Sequence, residues 1–368
     1  MLKSKNSILI LIVAAIVAVA FGVYFQSSTD LKDTLPTFEK AIILSNSKAI
    51  QGVEFIDHKG QRFSKQQLLG RWSILFFGFT NCPDICPTTM QTLKQVKSKL
   101  VLDNAWGNYQ VIMVSVDPAR DTTQQLSSYV PFFDPEFIGI NGTLNMTTEF
   151  SKQLGILFYA NEADDDGRYD VDHGTALILV NPMGEMAGVI SAPHQADVIA
   201  RDLSKLAKYY AQDHKKPVAK LASTQVNTPQ QDQITVEKDI ALNGDLILTN
   251  GWIRPAPQGA VNMAGYFDLL NTSDSDITIT QVESPSFDNA MIHQTVVSNG
   301  TASMQHLDGL LVPARGRVSL APLATHLMLI EPERDLQIGE RIPVRLTTLA
   351  GPTYQFELEV RQDPSVSN

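Results

Sequence analysis

The chain has 368 residues, 43% hydrophobic and 18% charged, which is ordinary for globular protein and enough for two cores. Its formal net charge of -10 and pI near 5.2 argue against a nucleic-acid partner. Two cysteines cannot form a disulfide-rich scaffold.

The N-terminus carries Lys3 and Lys5, then an apolar run from Ile8 to Phe25. As a helix over 8–25 that run would span about 27 Å, close to the hydrocarbon thickness of a bilayer. Ala18-Val19-Ala20 resembles a signal-peptide cleavage site, but the run continues past it to Phe25, so a transmembrane anchor is the expectation. Lysines before the run and none after it until Lys32 put the N-terminus in the cytoplasm and the rest outside. No arginine precedes Arg62, so bacterial export fits better than a mitochondrial transit peptide. The expected location is the periplasmic side of a bacterial inner membrane.

Residues 27–50 read as a polar stalk with one short apolar run. Alternation through Gly52-Val53-Glu54-Phe55-Ile56-Asp57 and the turn Lys59-Gly60 predict a hairpin. The pattern then predicts a buried strand over 73–79, a helix over 87–100, a strand over 109–116 and a helix over 122–130. A short strand at 137–140, a helix at 144–154, a strand at 156–160, a hairpin at 175–191 and a helix at 196–212 follow. Alternating strands and helices imply an α/β domain over 27–212, its parallel or mixed sheet covered on both faces. Residues 213–238, rich in Lys, Gln, Thr, Ser and Pro, read as a flexible linker. Residues 239–362 show short alternating segments separated by turn residues and predict an all-β sandwich.

Cys82 and Cys86 flank Pro83-Asp84-Ile85, just after the apolar strand. Two thiols so close can chelate one soft metal ion, form a redox disulfide, or switch between the two. A helix beginning at Pro87 would place Cys86 at its cap and lower both thiol pKa values through the helix dipole. A disulfide here would close a very small ring and stabilise little, which favours function over stapling. His173, in Val171-Asp172-His173-Gly174, is a candidate third ligand at the mouth of the strand beginning at Thr175, although a lone histidine is more often a surface or core residue. Asp164-Asp165-Asp166 reads as a solvated acidic loop, because hard oxygen ligands do not suit a thiolate site.

Residues 52–212 resemble the Sco/SenC proteins. The resemblance rests on Phe77-Gly78-Phe79-Thr80-Asn81-Cys82-Pro83-Asp84-Ile85-Cys86-Pro87, on Val114-Ser115-Val116-Asp117-Pro118 followed by Arg120-Asp121-Thr122, and on Val171-Asp172-His173. It implies a thioredoxin-like fold, with Cys82, Cys86 and His173 as copper ligands. It also implies a metallochaperone, not an enzyme, that serves the CuA site of cytochrome c oxidase subunit II. Asn81 stands where relatives commonly have histidine and Gly174 where they have serine. Asp117 and Asp172 are candidates to orient the site. Two thiolates and an imidazole suit Cu(I) and can also hold Cu(II), and oxidation to the disulfide removes both sulfur ligands.

The β-region contains four of the ten methionines and three of the seven histidines. His326-Leu327-Met328 places an imidazole and a thioether on one strand face, and Met291-Ile292-His293 and Met304-Gln305-His306 repeat that geometry. His293, ten residues, Met304, twenty-one residues, His326, one residue, Met328 is the ligand spacing of the periplasmic PCuAC copper chaperones, which the segment 250–361 resembles. Gly251-Trp252-Ile253-Arg254-Pro255, Gly265-Tyr266-Phe267, Ile292-His293-Gln294-Thr295, Val312-Pro313-Ala314 and Phe356-Glu357-Leu358-Glu359-Val360 also carry the likeness. It implies a cupredoxin-like sandwich binding Cu(I) through His293, Met304, His326 and Met328. Thioethers form no disulfide, so such a site survives oxidising conditions. Met291 and His306 are expected to pack in the core or along strands, with His306 close enough to Met304 to serve as an alternate ligand.

The expected whole is an anchored copper chaperone whose sandwich supplies the cysteine site across the linker, with the oxidase subunit and other periplasmic copper or thiol-disulfide proteins as partners. The alternatives are a thiol-disulfide reductase acting on oxidase subunit cysteines, and copper sequestration.

Overall fold

A computed structural model describes residues 17–19, 36–164, 166–213, 240–242 and 244–363. Among these no helix is long and apolar enough to cross a membrane, and the anticipated anchor over 8–25 lies outside them except for the helical Val17–Val19. The linker over 213–238 lies outside them too, apart from the last residue of a helix, Asp213.

The first domain contains β1 (Ala41–Ala49), β2 (Glu54–Asp57), β3 (Arg62–Ser64), β4 (Trp72–Gly78), β5 (Tyr109–Ser115), β6 (Ile138–Asn141), β7 (Phe158–Ala160), β8 (Val171–Gly174), β9 (Leu177–Val180) and β10 (Glu185–Ile190). Its helices are α1 (Ile85–Leu102), α2 (Thr123–Phe133), α3 (Leu144–Gln153) and α4 (Ala196–Asp213). The main sheet runs β1-β10-β9-β4-β5-β6-β2-β3, with β4, β5 and β6 parallel and the other pairs antiparallel. Every residue of β4 and β5 is buried, as continuous apolar runs covered on both faces should be.

Three local features differ from the sequence reading. The supposed stalk supplies β1, whose Ala41-Ile42-Ile43 pairs with Val189 and its neighbours at the sheet edge. The buried Asp202 carboxylate fixes that entry, accepting backbone N–H bonds from Glu39, Lys40 and Ala41 at 2.8–3.0 Å. Helix α1 begins at Ile85 with Asp84 as N-cap, so Cys86 sits in the first turn and not at the cap. The first N–H groups of a helix have no partner within it, so Pro87 is tolerated there. His173 lies inside β8 and not in a loop.

The second domain is mostly β, with no helix among its described residues. Its strands are β11 (Ile240–Leu242), β12 (Leu246–Ile253), β13 (Asn262–Asn271), β14 (Ile277–Glu283), β15 (Phe287–Ser298), β16 (Thr301–His306), β17 (Leu310–Val312), β18 (Arg317–Leu320), β19 (Thr325–Pro332), β20 (Arg341–Thr348) and β21 (Thr353–Val360). All pair antiparallel except β12 with β21. In β20 and β21 burial alternates strictly, the signature of one face on the core and one in water. In β19 both faces are buried: Leu327 and Leu329 point into the second domain's core, leaving His326, Met328 and Ile330 on the other side.

The first domain covers that other side. β16 pairs antiparallel with β8, placing Thr301 opposite Gly174 and Ala302 opposite His173, so that β8 and β7 extend the second domain's sheet. Thr175 N–H donates to the Gly300 carbonyl at 2.9 Å.

At the end of β4, a Cβ added to Gly78 would lie 2.6 Å from the Phe76 ring and 2.9 Å from Cys86 Sγ. The absent side chain is what lets α1 bring Cys86 against the sheet. Gly78→Ala should destabilise the chain by about 1–3 kcal/mol in urea unfolding, because the overpacked site has no free volume to absorb a methyl group.

Candidate metal centre

Three elements converge on the first site. The turn after β4 carries Cys82, whose N–H donates to the Phe79 carbonyl at 3.4 Å. The first turn of α1 carries Cys86, whose N–H donates to Cys82 Sγ at 3.3 Å. β8 carries His173, with Nε2 3.5 Å from Cys86 Sγ. The three ligand atoms all lie within 4.8 Å of one another, and both cysteines are free thiols. His173 Nδ1 lies 3.2 Å from the Gly174 carbonyl, which orients the ring so that Nε2 faces the sulfurs. The Phe76 and Phe79 rings meet the imidazole edge-on, with centroids 6.2 and 6.0 Å away. Two soft sulfurs and an imidazole in a dry pocket can hold copper.

The flanking acids do not touch the ligands. Asp117 is engaged by Arg120 and by the Tyr169 hydroxyl at 2.9 Å, and Asp172 accepts from Asn161 at 3.2 Å. Asp164 and Asp166 pair with Arg168; Asp165 is outside the described residues. Two acids that the sequence reading left out matter more. Asp121 accepts from Thr80 N–H at 3.0 Å, Thr80 Oγ1 at 2.6 Å and Ser115 Oγ at 2.6 Å, and so pins the loop leading into Cys82. Burial pushes its carboxyl up to about 6, against the pull of those donors. Asp84, between the cysteines, is fully buried and bonded to the second domain. Its place in the Cys-Pro-Asp-Ile-Cys run was the only available signal.

The second cluster lies across three strands. Register puts His293 opposite His326 on one side and His306 on the other, with Met291 opposite Met328 and Thr295 opposite Met304. Ring centroids of His293 lie 5.7 Å from His306 and 6.2 Å from His326. His293 Nδ1 and His326 Nε2 are buried without a hydrogen-bond partner, as free ligand atoms would be. Met304 faces the first domain and packs against its core. Of the two expected positions, core or strand, Met291 and His306 take the second, on β15 and β16. Met291 Sδ lies 3.0 Å from His293 Nε2, and His306 is half exposed with Nε2 3.7 Å from Asp308. Both share the ligand face because cross-strand partners point the same way.

The SCO1/SenC family profile matches residues 44–208, and the LpqE-like profile matches residues 246–360. A Stutzerimonas stutzeri protein named "Putative copper-binding protein" is 39% identical over 165 residues, 45% of this chain and 80% of that one. The chain belongs to the SCO1/SenC family. The mitochondrial SCO2 homolog of Mus musculus is 33% identical over 150 residues, 41% of this chain and 59% of its own length. Copper-bound ScoI of Arabidopsis thaliana is 29% identical, covering 45% of this chain and 98% of its own, with a TM-score of 0.40. The copper-bound PCuAC domain from PmoF2 is 18% identical over 34% of this chain and 100% of that domain, with a TM-score of 0.30.

In this SCO1/SenC chain the two thiols differ, contrary to the expectation that the helix dipole lowers both. Burial acts to raise the Cys82 pKa, but hydrogen bonds from Cys86 and His173, with the His173 charge, hold it down to about 5. Burial and the neighbouring Cys82 thiolate push Cys86 up. A metal taking both sulfurs must displace the Cys86 proton. In the second cluster, burial and then the nearby His326 and His306 push the His293 imidazole down to about 3, so it stays neutral and able to ligate.

Titrating the reduced, metal-free protein should reveal one thiolate, by ultraviolet absorbance, with a midpoint about pH 5, and Cys82→Ser should abolish it. His293 protonates near 6.5 when unfolded but only near 3 when folded, so its contribution to stability is present above pH 6.5 and is lost as pH falls towards 3. The thermal midpoint of the metal-free chain should therefore drop across that window, and His293→Gln should flatten the drop by at most about 1.4 kcal/mol per pH unit, the limit for one proton.

Proposed function

We propose that this chain is a membrane-anchored, extracytoplasmic copper chaperone that delivers copper to the CuA site of cytochrome c oxidase subunit II. The observation that carries the reading is the Cys82, Cys86 and His173 group, three soft donor atoms within 4.8 Å in a pocket closed to water. Copper is cargo in this scheme. Cu(I) is the form two thiolates and an imidazole favour, and Cu(II) can also be held there. The S. stutzeri relative's name supports the choice of metal. The lysines and apolar run at the N-terminus support the anchor, with the domains in the periplasm of a bacterium.

The second domain, read as a cupredoxin-like sandwich of PCuAC type, is the copper source. His293, Met304, His326 and Met328 hold Cu(I) without an ionisable sulfur, so loading there needs no thiol deprotonation and survives oxidants that convert Cys82 and Cys86 to a disulfide. Cu(I) then passes from the thioether site to the dithiol, where thiolates bind it more strongly. One observation favours a second reading: a Cys82 held as thiolate beside a protonated Cys86 is also the arrangement of a thiol-disulfide reductase.

A Cu(I) titration with X-ray absorption separates the readings. The chaperone binds two Cu(I) per chain; Cys82→Ser loses the sulfur-rich site and Met328→Ala weakens the other by about tenfold or more, the effect of losing one soft ligand. No copper at the cysteine site would leave the reductase. Deleting the gene should lower oxidase activity, whereas lost copper tolerance with intact oxidase would indicate sequestration.

A further inference from the structure

The loop between the cysteines is gripped from the other domain. Asp84 is the N-cap of α1, yet its side chain caps none of that helix's N–H groups. Its Oδ1 accepts from the Tyr266 hydroxyl at 3.0 Å, and its Oδ2 accepts from Thr295 Oγ1 at 2.8 Å and from the Leu323 N–H at 2.8 Å. Arg254 donates to the Asp84 carbonyl at 3.0 Å, with its guanidinium 3.7 Å from Oδ1. His326 Nδ1 is 3.7 Å from Oδ2, and Asn262 donates to the Asn81 carbonyl at 2.7 Å.

These contacts bind the domains only jointly. Asp84 is 0% exposed and Tyr266 1%, so neither polar group has water as an alternative partner. A buried carboxylate is tolerated only when donors surround it, and four of the residues around this one lie beyond residue 250. Leu323 holds a left-handed backbone, φ 63°, that leucine rarely adopts, and its N–H is spent on Asp84. With β16 paired to β8 and Cys82 facing Arg254, Pro255 and Asn262, Cys82 is 2%, Cys86 0% and His173 1% exposed. No sulfur is within reach of another protein's thiol or metal site.

We propose that the β-sandwich is a closing lid on the Cys82, Cys86 and His173 site, latched by Asp84 through Tyr266, Thr295 and the Leu323 N–H. In the closed chain the dithiol faces only the sandwich. Partners outside reach it after the latch opens. Met304, on β16 two residues from the position opposite His173, packs against the first domain's core, and His326 Nδ1 lies 3.7 Å from Asp84, so the closed form is also the one in which the two sites meet. That last clause rests on the copper-delivery reading, whereas the lid itself does not.

The test uses the full-length, reduced, metal-free chain and follows iodoacetamide alkylation of Cys82 and Cys86 by mass spectrometry. Wild-type thiols should react slowly. A Tyr266→Phe/Thr295→Val variant, altered only in the sandwich, should react on the order of tenfold to a hundredfold faster, the shift expected from removing two donors to a carboxylate. Asp84→Asn should move in the same direction, small-angle scattering should show the variants more extended, and circular dichroism should show both domains folded. Equal alkylation rates in folded wild type and double variant, or wild-type thiols reacting as fast as in denaturant, would overturn the lid. Protection without copper binding would retain the lid and remove the delivery reading, and copper binding without protection would do the reverse.

Discussion

A carboxylate removed from water has to be surrounded by donors, and in this chain the carboxylate concerned lies between the two cysteines while most of its donors lie in the other domain. Asp84 therefore cannot be understood within the thioredoxin-like unit alone. Its neighbours Tyr266, Thr295, Leu323 and Arg254 come from different strands and turns of the second domain, and all converge on one side chain. In the docked chain Cys82, Cys86 and His173 are buried. His326 and Met328, on the face of β19 turned away from the second domain's core, are buried there too.

The two candidate copper sites solve one chemical problem in different ways. In the dithiol site the sulfurs are poised unequally: Cys86 and His173 hold the Cys82 thiol down, whereas burial and the neighbouring Cys82 push Cys86 up. Binding a metal there is tied to proton release and to redox state. In the second domain the sulfurs are thioethers and the central imidazole is neutral, so neither coupling applies. Cargo moving from the second site to the first would leave a neutral ligand set for a charged one, a direction that anionic sulfur favours for Cu(I).

Local pattern carried much of this into view before any coordinates. Continuous apolar runs became β4 and β5 because a strand buried on both faces needs nothing but apolar side chains. His326 and Met328 share a strand face because side chains alternate with a period of two. The misreadings have equally physical causes. The 27–50 stretch looked like a stalk because edge strands carry polar residues on their open side, and six of the nine residues of β1 are exposed. His306 was expected only to pack along its strand, close to Met304, because one-dimensional spacing does not reveal cross-strand neighbours; register set it opposite His293, with ring centroids 5.7 Å apart.

By itself the sequence determined the two domains' elements and the chemistry they carry: a dithiol four positions apart, a histidine far along the chain, and a methionine and histidine set at strand spacing. These follow from covalent order and short-range periodicity, which a linear reading can evaluate. Only the tertiary structure decided that His173 reaches Cys86, that the thiols differ in acidity, and that Asp84 joins the domains over the site. Each of those depends on distances between residues many positions apart, up to 239 from Asp84 to Leu323, and on the water excluded when they meet.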